Sequence, residues 1–384
     1  MLKLSQKADC CGCGACAQAC PKKCITMIPD SEGFLYPAVD ADSCVNCGIC
    51  EKVCPVLKNA KPESDDVLAF AAYTPDAELR ENSSSGGVFS VLAHEILRRD
   101  GVVFGAAFAE DLSVGHVMVE KSEQLSRLRG SKYVQSRIGD TYRQVKELLE
   151  QGRTVLFTGV SCQIAGLKAF LRKDYENLWT VDVLCHGVPS PAVWQQYCRE
   201  QEAKRASKLE RVRFRDKRTG WRSASIAMDF SGGEAYCQRN ATDPYMRLFL
   251  SDICLRPSCH SCRFKDVPRL SDLTIGDAWG IEKHMPELDD NRGTSVVLVN
   301  SEKGKVLWET VAPALVSRQG EVDTLLPKTA DSRKSVKPHP NRSKFFVALS
   351  QGATVEQLCK LTRRSWYRRL LSFGKRTIKR LLRK

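Results

Sequence analysis

Short apolar runs alternate with amphipathic stretches through the middle of the chain. The runs are rich in Val, Phe, Ala and Leu, as buried strands are, whereas the amphipathic stretches repeat their apolar residues at helical spacing. In chain order the pattern predicts strand 67–73, helix 87–97, strand 102–108, helix 138–149, strand 154–158, helix 161–171, strand 179–184 and helix 191–199. This alternation predicts an α/β body built on a buried sheet.

The first 56 residues follow a different pattern, in which short apolar segments separate groups of cysteine. Ile25–Ile28 and Phe34–Tyr36 flank the turn sequence Asp30–Gly33, and this arrangement predicts a β-hairpin. Residues 57–66 are mostly polar and predict a linker to the α/β body.

Ten of the 18 cysteines lie within the first 54 residues, where two sets share one spacing. Each set reads C-x2-C-x2-C-x3-C-P, the run found in bacterial two-cluster ferredoxins, in which the fourth cysteine of each run ligates the other cluster. Structural zinc would use pairs of cysteines rather than two matched triplets, and a cytosolic chain keeps its thiols reduced. The sequence therefore predicts two [4Fe–4S] clusters, one on Cys10, Cys13, Cys16 and Cys54 and one on Cys44, Cys47, Cys50 and Cys20.

These motifs predict an α+β ferredoxin-like dicluster domain over residues 1–56. Cys11 and Cys24 fall outside the spacing, and we interpret both as buried free thiols.

Three loops of the body are candidates for a ligand site: Ser83–Gly87, Arg129–Tyr133 and Phe157–Gln163. The first and third precede predicted helices, where free backbone N–H groups bind anions, although a plain helix cap explains such sequences equally well. Two strand-end loops that face one crevice favour a dinucleotide. The absence of G-x-G-x-x-G argues against an ordinary Rossmann site.

Four later cysteines form a second candidate metal site. Cys162 and Cys185 follow predicted strands, and Cys259 and Cys262 form a C-x2-C pair. From spacing alone, these four are either the ligands of a third cluster or buried thiols.

Six segments of the body resemble the coenzyme F420 hydrogenase/dehydrogenase beta-subunit family. They are Ser84–Val88, Arg129–Gln135, Phe157–Leu167, Cys185–Pro191, Arg256–Cys262 and Asp272–Gly280. The likeness covers roughly residues 67–345, with an N-terminal part over 67–160 and a C-terminal part over 161–345.

The resemblance implies a flavin-binding body. In this family FAD accepts or donates a hydride and exchanges single electrons with [4Fe–4S] clusters, because clusters move one electron and hydride carriers move two. Carried over by motif, the implied FAD-binding residues are Ser85, Gly86, Gly87, Lys132, Thr158, Gly159 and Gln163. Asp277 either lines the same site or caps a turn. The resemblance also implies that Cys162, Cys185, Cys259 and Cys262 hold a third cluster.

Residues 355–384 are predicted to form a basic amphipathic tail. From residue 360 onward eleven residues are Lys or Arg and none is acidic, so only +3 of the net charge of +14 belongs to the rest of the chain. Trp366, Leu370, Phe373 and Leu381 recur at helical spacing. This pattern favours binding of residues 360–384 to an anionic membrane surface over a helix docked on the protein, and nucleic-acid binding is least favoured.

The N-terminal residues lack the apolar run of a secretory signal, and no run reaches the roughly 18–20 apolar residues of a membrane span. We therefore expect a cytoplasmic protein, peripheral at the inner face of the membrane if the tail binds lipid.

The predicted function is an FAD-dependent iron–sulfur oxidoreductase of anaerobic metabolism. It would pass electrons between a hydride-carrying small molecule and ferredoxin-type clusters, with ferredoxin or another redox protein as partner. Two alternatives are a non-catalytic electron-transfer subunit of a larger redox complex and an iron–sulfur protein whose tail binds nucleic acid.

Overall fold

The structure, a computed structural model, describes residues 6–58, 62 and 66–362. Most of the predicted linker lies outside these ranges, as does the basic tail from residue 363 onward. The strands are β1 (Ile25–Pro29), β2 (Leu35–Val39), β3 (Leu68–Tyr73), β4 (Val102–Phe108), β5 (Val114–Val119), β6 (Val155–Val160), β7 (Leu178–Val183), β8 (Leu209–Asp216), β9 (Ser225–Phe230), β10 (Ala235–Arg239), β11 (Leu273–Asp277), β12 (Ser295–Val299) and β13 (Val316–Gly320).

The α-helices are α1 (Ala15–Ala19), α2 (Ile49–Lys52), α3 (Ala77–Glu81), α4 (Val88–Arg98), α5 (Thr141–Glu150), α6 (Ser161–Leu171), α7 (Pro191–Arg205), α8 (Pro244–Leu250), α9 (Ile281–His284), α10 (Glu302–Val311), α11 (Val322–Leu325), α12 (Arg342–Ser350) and α13 (Val355–Cys359). Short 3₁₀ turns occur at Lys7–Asp9, Ser122–Arg127, Pro257–Ser261, Pro286–Leu288, Ala312–Ala314 and Lys360–Thr362.

One mixed sheet of eight strands forms the centre of the body, in the order β13-β3-β12-β11-β7-β6-β4-β5. Strands β4, β6, β7 and β11 are parallel. Strand β5 is antiparallel to β4, and β12 is antiparallel to both β11 and β3. The two parts of the body that the sequence separates at residue 160 therefore share one sheet.

Helices cover both faces of the sheet, as the alternating pattern predicts. Helices α4 and α10 pack on one face through apolar side chains that include Leu92, Ile96 and Leu307. Helices α5 and α6 pack on the other face through side chains such as Val145 and Ile164. The predicted strands and helices from 67 to 199 are confirmed, with α5 starting at Thr141 and α7 continuing to Arg205.

A second sheet of three antiparallel strands, β10-β9-β8, lies outside the predicted pattern. Its apolar face packs with α7, α8 and the C-terminal helices in one core, which contains Phe214, Tyr245 and Phe345. Val355, Leu358 and Cys359 are buried in this same core. The segment 342–359 thus belongs to the body, so a body ending at 345 and a tail beginning at 355 do not match the packing.

The ferredoxin-like domain contains the predicted hairpin, β1 and β2, with Ile25 paired to Val39 and Pro29 to Leu35. Helices α1 and α2 follow Gly14 and Gly48, whose φ angles of 73° and 70° are left-handed and favour glycine. Each helix carries the third cysteine of its motif, whereas the fourth cysteine lies just beyond the helix.

Candidate redox centres and cofactor cleft

The first group of cysteines combines three residues of the first motif with one of the second. Burial, followed by the charges of Cys10 and Cys54, raises the pKa of Cys16 to about 12, because the three thiols lie near one another. Cys13 and Cys54 are buried in one apolar cluster with α6. The structure thus brings together Cys10, Cys13, Cys16 and Cys54.

The second group surrounds a small cavity of about 20 Å³. Cys20 of the first motif lines this cavity together with Cys44, Cys47 and Cys50 of the second motif. Cys24 lines it as well, and its Sγ is 3.3 Å from the Sγ of Cys20. Cys47 is solvent-exposed, so this group lies at the surface of the domain.

The spacing of these groups differs from that of a single-ion site. Within the described ranges, no three Cys, His, Asp or Glu side chains converge closely enough to share one metal ion. Structural zinc holds all four sulfurs about 2.3 Å from one ion, whereas a cubane spreads four thiolates over four irons. Two crossed sets of four cysteines fit two cubanes.

A third group of cysteines surrounds a cavity of about 40 Å³ between the body and the ferredoxin-like domain. The four later cysteines that the sequence indicates all line this cavity: Cys162, Cys185, Cys259 and Cys262. Burial, followed by the charge of Cys262, raises the pKa of Cys185 to about 11. The backbone N–H of Val188 donates to Cys259 Sγ at 3.4 Å, a contact of the kind that tunes cluster potentials.

Cys11 is a fifth cysteine in the wall of this third cavity. The prediction that Cys11 and Cys24 are buried is confirmed, but Cys11 also hydrogen-bonds through its thiol to Cys13 and Cys162. It therefore lies between the first cysteine group and the third. The motif spacing gave no signal for this position, because the cavity forms only when the two domains pack together.

Arg256 holds the ferredoxin-like domain against the body. Its side chain is fully buried, and its guanidinium donates to Cys10 O at 2.8 Å, to Leu35 O at 2.9 Å and to Gln135 Oε1 at 3.0 Å. The Gln135 amide in turn donates to Cys11 O at 3.1 Å. One charged side chain thus joins the first motif, the hairpin and the body.

Gly166 of α6 brings the first cysteine group close to the body. A Cβ at this position would lie 2.8 Å from Cys13 Cβ, 3.1 Å from Cys13 Sγ and 2.8 Å from the Tyr142 hydroxyl. Because Cys162 lies one helical turn earlier, α6 presents the first and third groups to each other.

We expect Gly166→Ala to destabilise the protein by about 1–3 kcal/mol, because the added methyl overpacks the domain interface. In an open helix position the same change would stabilise instead. The matched control is Gly115→Ala, whose nearest added contact is 3.7 Å from Arg137 O. Thermal unfolding of both variants, with EPR spectra of the reduced clusters, checks the prediction; an unchanged Gly166→Ala spectrum and melting temperature would contradict it.

A cleft of about 970 Å³ opens at the carboxyl ends of the parallel strands, the edge at which α/β sheets bind ligands. Its volume is at the upper end of the range for small-molecule sites. Seven of the eight residues implied as FAD contacts line it: Ser85, Gly87, Lys132, Thr158, Gly159, Gln163 and Asp277.

Gly86, the eighth residue, supports the loop from behind instead of lining the cleft. Its N–H donates to Ser295 Oγ at 3.0 Å, and a Cβ would lie 2.4 Å from Ala72 O. Ser85 Oγ donates to Thr294 O at 2.9 Å. Both contacts fix the Ser/Gly loop against β12, so its backbone is held in place.

Lys132 uses its ammonium group within its own loop. The three N–H groups donate to the carbonyl oxygens of Arg127, Leu128 and Arg129 at 3.1, 2.9 and 2.8 Å. An ammonium has three donors, so Lys132 shapes this loop of the cleft and has no donor left for a phosphate in this arrangement.

A hydrogen-bonded chain crosses the cleft floor through His116 and Ser136, which the sequence did not single out. His116 Nε2 lies 2.9 Å from Thr158 O, and Nδ1 lies 3.1 Å from Ser136 Oγ, which also accepts from Gln163 Nε2 at 2.9 Å. Burial lowers the pKa of His116 to about 4. The neutral ring therefore donates from Nε2 and accepts at Nδ1, and it fixes both Thr158 and Gln163.

Asp277 lies at the end of β11 and is fully engaged. It accepts from Arg215 Nη1 at 2.8 Å and from Trp221 Nε1 at 2.9 Å.

His186 lies next to Cys185 in the loop after β7. Its Nε2 is 2.6 Å from Asp252 Oδ1, so this loop histidine has a hydrogen-bond partner within the protein.

No helix within the described ranges is both long and apolar enough to cross a membrane. The predicted lipid-binding residues from 363 to 384 lie outside those ranges.

Family models match three consecutive parts of the chain. The 4Fe–4S dicluster domain matches residues 9–57. The N-terminal and C-terminal models of the coenzyme F420 hydrogenase/dehydrogenase beta subunit match residues 69–141 and 152–323.

Among solved structures, a chain of the F420-reducing [NiFe] hydrogenase complex from Methanosarcina barkeri, from a xenon derivatization study, is 18% identical with a TM-score of 0.45. The match covers 74% of this chain and 89% of that chain. No curated protein sequence matches. The chain is an iron–sulfur protein that belongs to the coenzyme F420 hydrogenase/dehydrogenase beta-subunit family, an oxidoreductase family, and carries a 4Fe–4S dicluster domain at its N-terminal end.

Proposed function

We propose that this chain is an FAD-dependent oxidoreductase, with FAD in the cleft and a third [4Fe–4S] cluster in the cavity lined by Cys11 and the four later cysteines. The observation that carries the proposal is the position of Cys185, which lines both the cleft and the cysteine cavity. A group in the cleft and a cluster in the cavity would therefore be neighbours.

Bound FAD supplies the exchange between a two-electron hydride carrier and one-electron clusters. The chain's own residues prepare its site. The Ser83–Gly87 loop offers backbone N–H groups before α4, a site suited to a pyrophosphate. Thr158 and Gln163 are held by the neutral His116 and by Ser136, so the polar groups of the cleft floor are oriented before any ligand binds.

The cysteine groups form a chain of sulfur contacts away from the cleft. Cys185 and Cys162 line the third cavity with Cys11, and Cys11 contacts Cys13 of the first group. The second group, held by α1 and α2 next to the first, ends at the exposed Cys47. We infer that electrons pass between the cleft and the surface at Cys47 through the three cysteine groups.

The surface near Cys47 is the proposed docking point for a redox partner, either a ferredoxin or another electron-transfer protein. Val45, which lines the same cavity as Cys47, is 59% exposed. Exposed apolar side chains beside a surface cluster suit a transient redox contact, which buries a small interface.

Rapid mixing under anaerobic conditions tests the proposed function. Reduced coenzyme F420, NADH or NADPH is mixed with the reconstituted full-length protein, and flavin absorbance and cluster EPR signals are followed. We expect one carrier to bleach the flavin first and the clusters to be reduced afterwards. Bound flavin that no carrier reduces, in a protein whose clusters still accept electrons from dithionite, would contradict the oxidoreductase proposal.

A second candidate is an electron-transfer subunit of a larger redox complex that transforms no metabolite itself. The exposure of Cys47 favours this candidate. An electron-transfer subunit needs only a surface at which a neighbouring protein can bind close to one of its clusters. Protein that holds about 8 irons and no flavin after reconstitution would support this candidate.

A further inference from the structure

An exposed tryptophan stands on the wall of the cleft, just after β11. The Trp279 side chain is 52% exposed although it lines the cleft. One face of its ring stacks on Trp221, with ring centroids 4.7 Å apart and an interplanar angle of 8°. The exposed part of the ring is open to the cleft, and a flat aromatic surface of this kind is suited to a planar ligand.

The support beneath Trp279 is rigid. Trp221 is buried and donates its indole N–H to Asp277 Oδ1 at 2.9 Å. Arg215 donates to Asp277 Oδ2 at 2.8 Å, and its guanidinium carbon lies 5.1 Å from the Trp279 ring centroid. The platform is therefore organised before a ligand arrives, which reduces the entropy lost on binding.

Two further features of the same wall point to a polar, negatively charged ligand. Arg215 Nε is buried without a hydrogen-bond partner in the part of the chain that the structure describes. Arg239, at the end of β10, is exposed on the cleft wall and has no ion-pair partner among the described residues. Buried polar groups are normally paired, so an acceptor supplied by a ligand would complete this wall.

Except for Asp277, which is an implied flavin contact and also holds Trp221 and Arg215, this platform is separate from the proposed flavin contacts. Trp279, Trp221, Arg215 and Arg239 come from the second sheet and the segment after β11, whereas Ser85, Thr158 and Gln163 come from the turns after β3 and β6. Both sets of residues line the same cleft, so a ligand at this wall would be a neighbour of the proposed flavin.

We propose that the open face of Trp279 binds the planar heteroaromatic ring of the hydride-carrying substrate, with the substrate's anionic end at Arg239. This inference rests on the proposed function, because it names the substrate subsite beside the proposed flavin site. A 5-deazaflavin and a nicotinamide share this chemistry, a flat ring with a phosphate-bearing tail.

Binding of the oxidised carriers to the flavin-loaded full-length protein tests the proposal without turnover. The probes are coenzyme F420, NAD⁺ and NADP⁺, titrated separately by calorimetry into wild type, Trp279→Ala and Trp279→Phe. Since stacking on an aromatic side chain contributes about 1–3 kcal/mol, we expect Trp279→Ala to raise the Kd of the bound carrier about tenfold to a hundredfold. Trp279→Phe should recover most of the affinity, and flavin content should stay at the wild-type level. The probe that binds distinguishes a deazaflavin from a nicotinamide.

The control is Val306→Ala, which removes an exposed apolar side chain from α10, away from the cleft. A Kd within twofold of wild type in Trp279→Ala would overturn the proposal, as would a wild-type protein that holds flavin but binds none of the probes. Loss of flavin from Trp279→Ala with an unchanged carrier Kd would also overturn it, because the platform would then hold the flavin. Wild-type protein without flavin would instead contradict the proposed function, and the same titrations on that protein would still decide the Trp279 subsite.

Discussion

Replacement of Cys259 by alanine is expected to reduce the iron content from about 12 to about 8 atoms per chain and to stop electron transfer from the cleft to the ferredoxin-like domain. Cys259 lines the third cysteine cavity but not the cleft. The flavin content of the variant should therefore equal that of wild type.

The expected loss is complete because Cys162, Cys185 and Cys262 leave one corner of the cubane without a ligand, while the fifth cysteine of the cavity, Cys11, is engaged with Cys13 of the first group. The remaining two clusters are held by other cysteines in the ferredoxin-like domain, and they should keep their EPR signals with dithionite. A carrier that reduces the flavin in this variant should leave the two clusters oxidised.

Cys254→Ala is the matched control, because Cys254 is five residues earlier, is buried with Tyr245 and Phe249, and does not line the cysteine cavity. It should retain about 12 irons and wild-type electron transfer. Equal iron content in Cys259→Ala and wild type would contradict a cluster at this position, as would unchanged reduction of the ferredoxin-like domain through the flavin.

Replacement of Arg256 by leucine is expected to release the ferredoxin-like domain from the body. The leucine removes three buried hydrogen bonds and leaves the carbonyl oxygens of Cys10 and Leu35 without their donor. Loss of a buried, hydrogen-bonded charge costs about 2–5 kcal/mol, partly because its former partners stay buried and unpaired. Arg256 also covers the Tyr36 ring, with its guanidinium carbon 4.3 Å from the ring centroid, so packing is lost as well.

Urea unfolding and limited proteolysis of the reconstituted protein measure this effect. We expect a lower unfolding midpoint and faster proteolytic release of the ferredoxin-like domain from the body in Arg256→Leu. Arg98→Leu is the control, because Arg98 is exposed on α4 and, among the described residues, pairs only with Glu95 of the same helix, a contact that contributes little. Identical midpoints and cleavage rates for the two variants would show that Arg256 does not hold the domains together.

The sequence predicts most of the elements between 67 and 199 because buried parallel strands and covering helices have distinct periodicities. It does not predict β8 to β10, whose strands carry charged residues such as Glu210, Arg211 and Arg213 between their buried positions. The burial of Val355 and Leu358 was missed for a similar reason, because a short apolar group beside a basic tail gives no periodic signal.

Cysteine spacing predicts ligand sets only where the ligands lie within one motif or in two matched motifs. The cavity shared by Cys11, Cys162 and Cys262 joins segments that are far apart in the sequence, and only domain packing reveals it. Lys132 shows the opposite case, since the family resemblance implies an FAD contact while its three donors are used by the loop itself. Which atoms remain free for a ligand follows from the folded hydrogen-bond pattern.

Anaerobic reconstitution of the full-length protein, followed by assays of iron, sulfide and flavin, tests the central claim most directly. A chain with two ferredoxin-type clusters, a third cluster in the cavity lined by Cys162, Cys185, Cys259 and Cys262, and one flavin in the cleft should contain about 12 irons, about 12 sulfides and one FAD. A protein that saturates at about 8 irons and binds no flavin would contradict the claim.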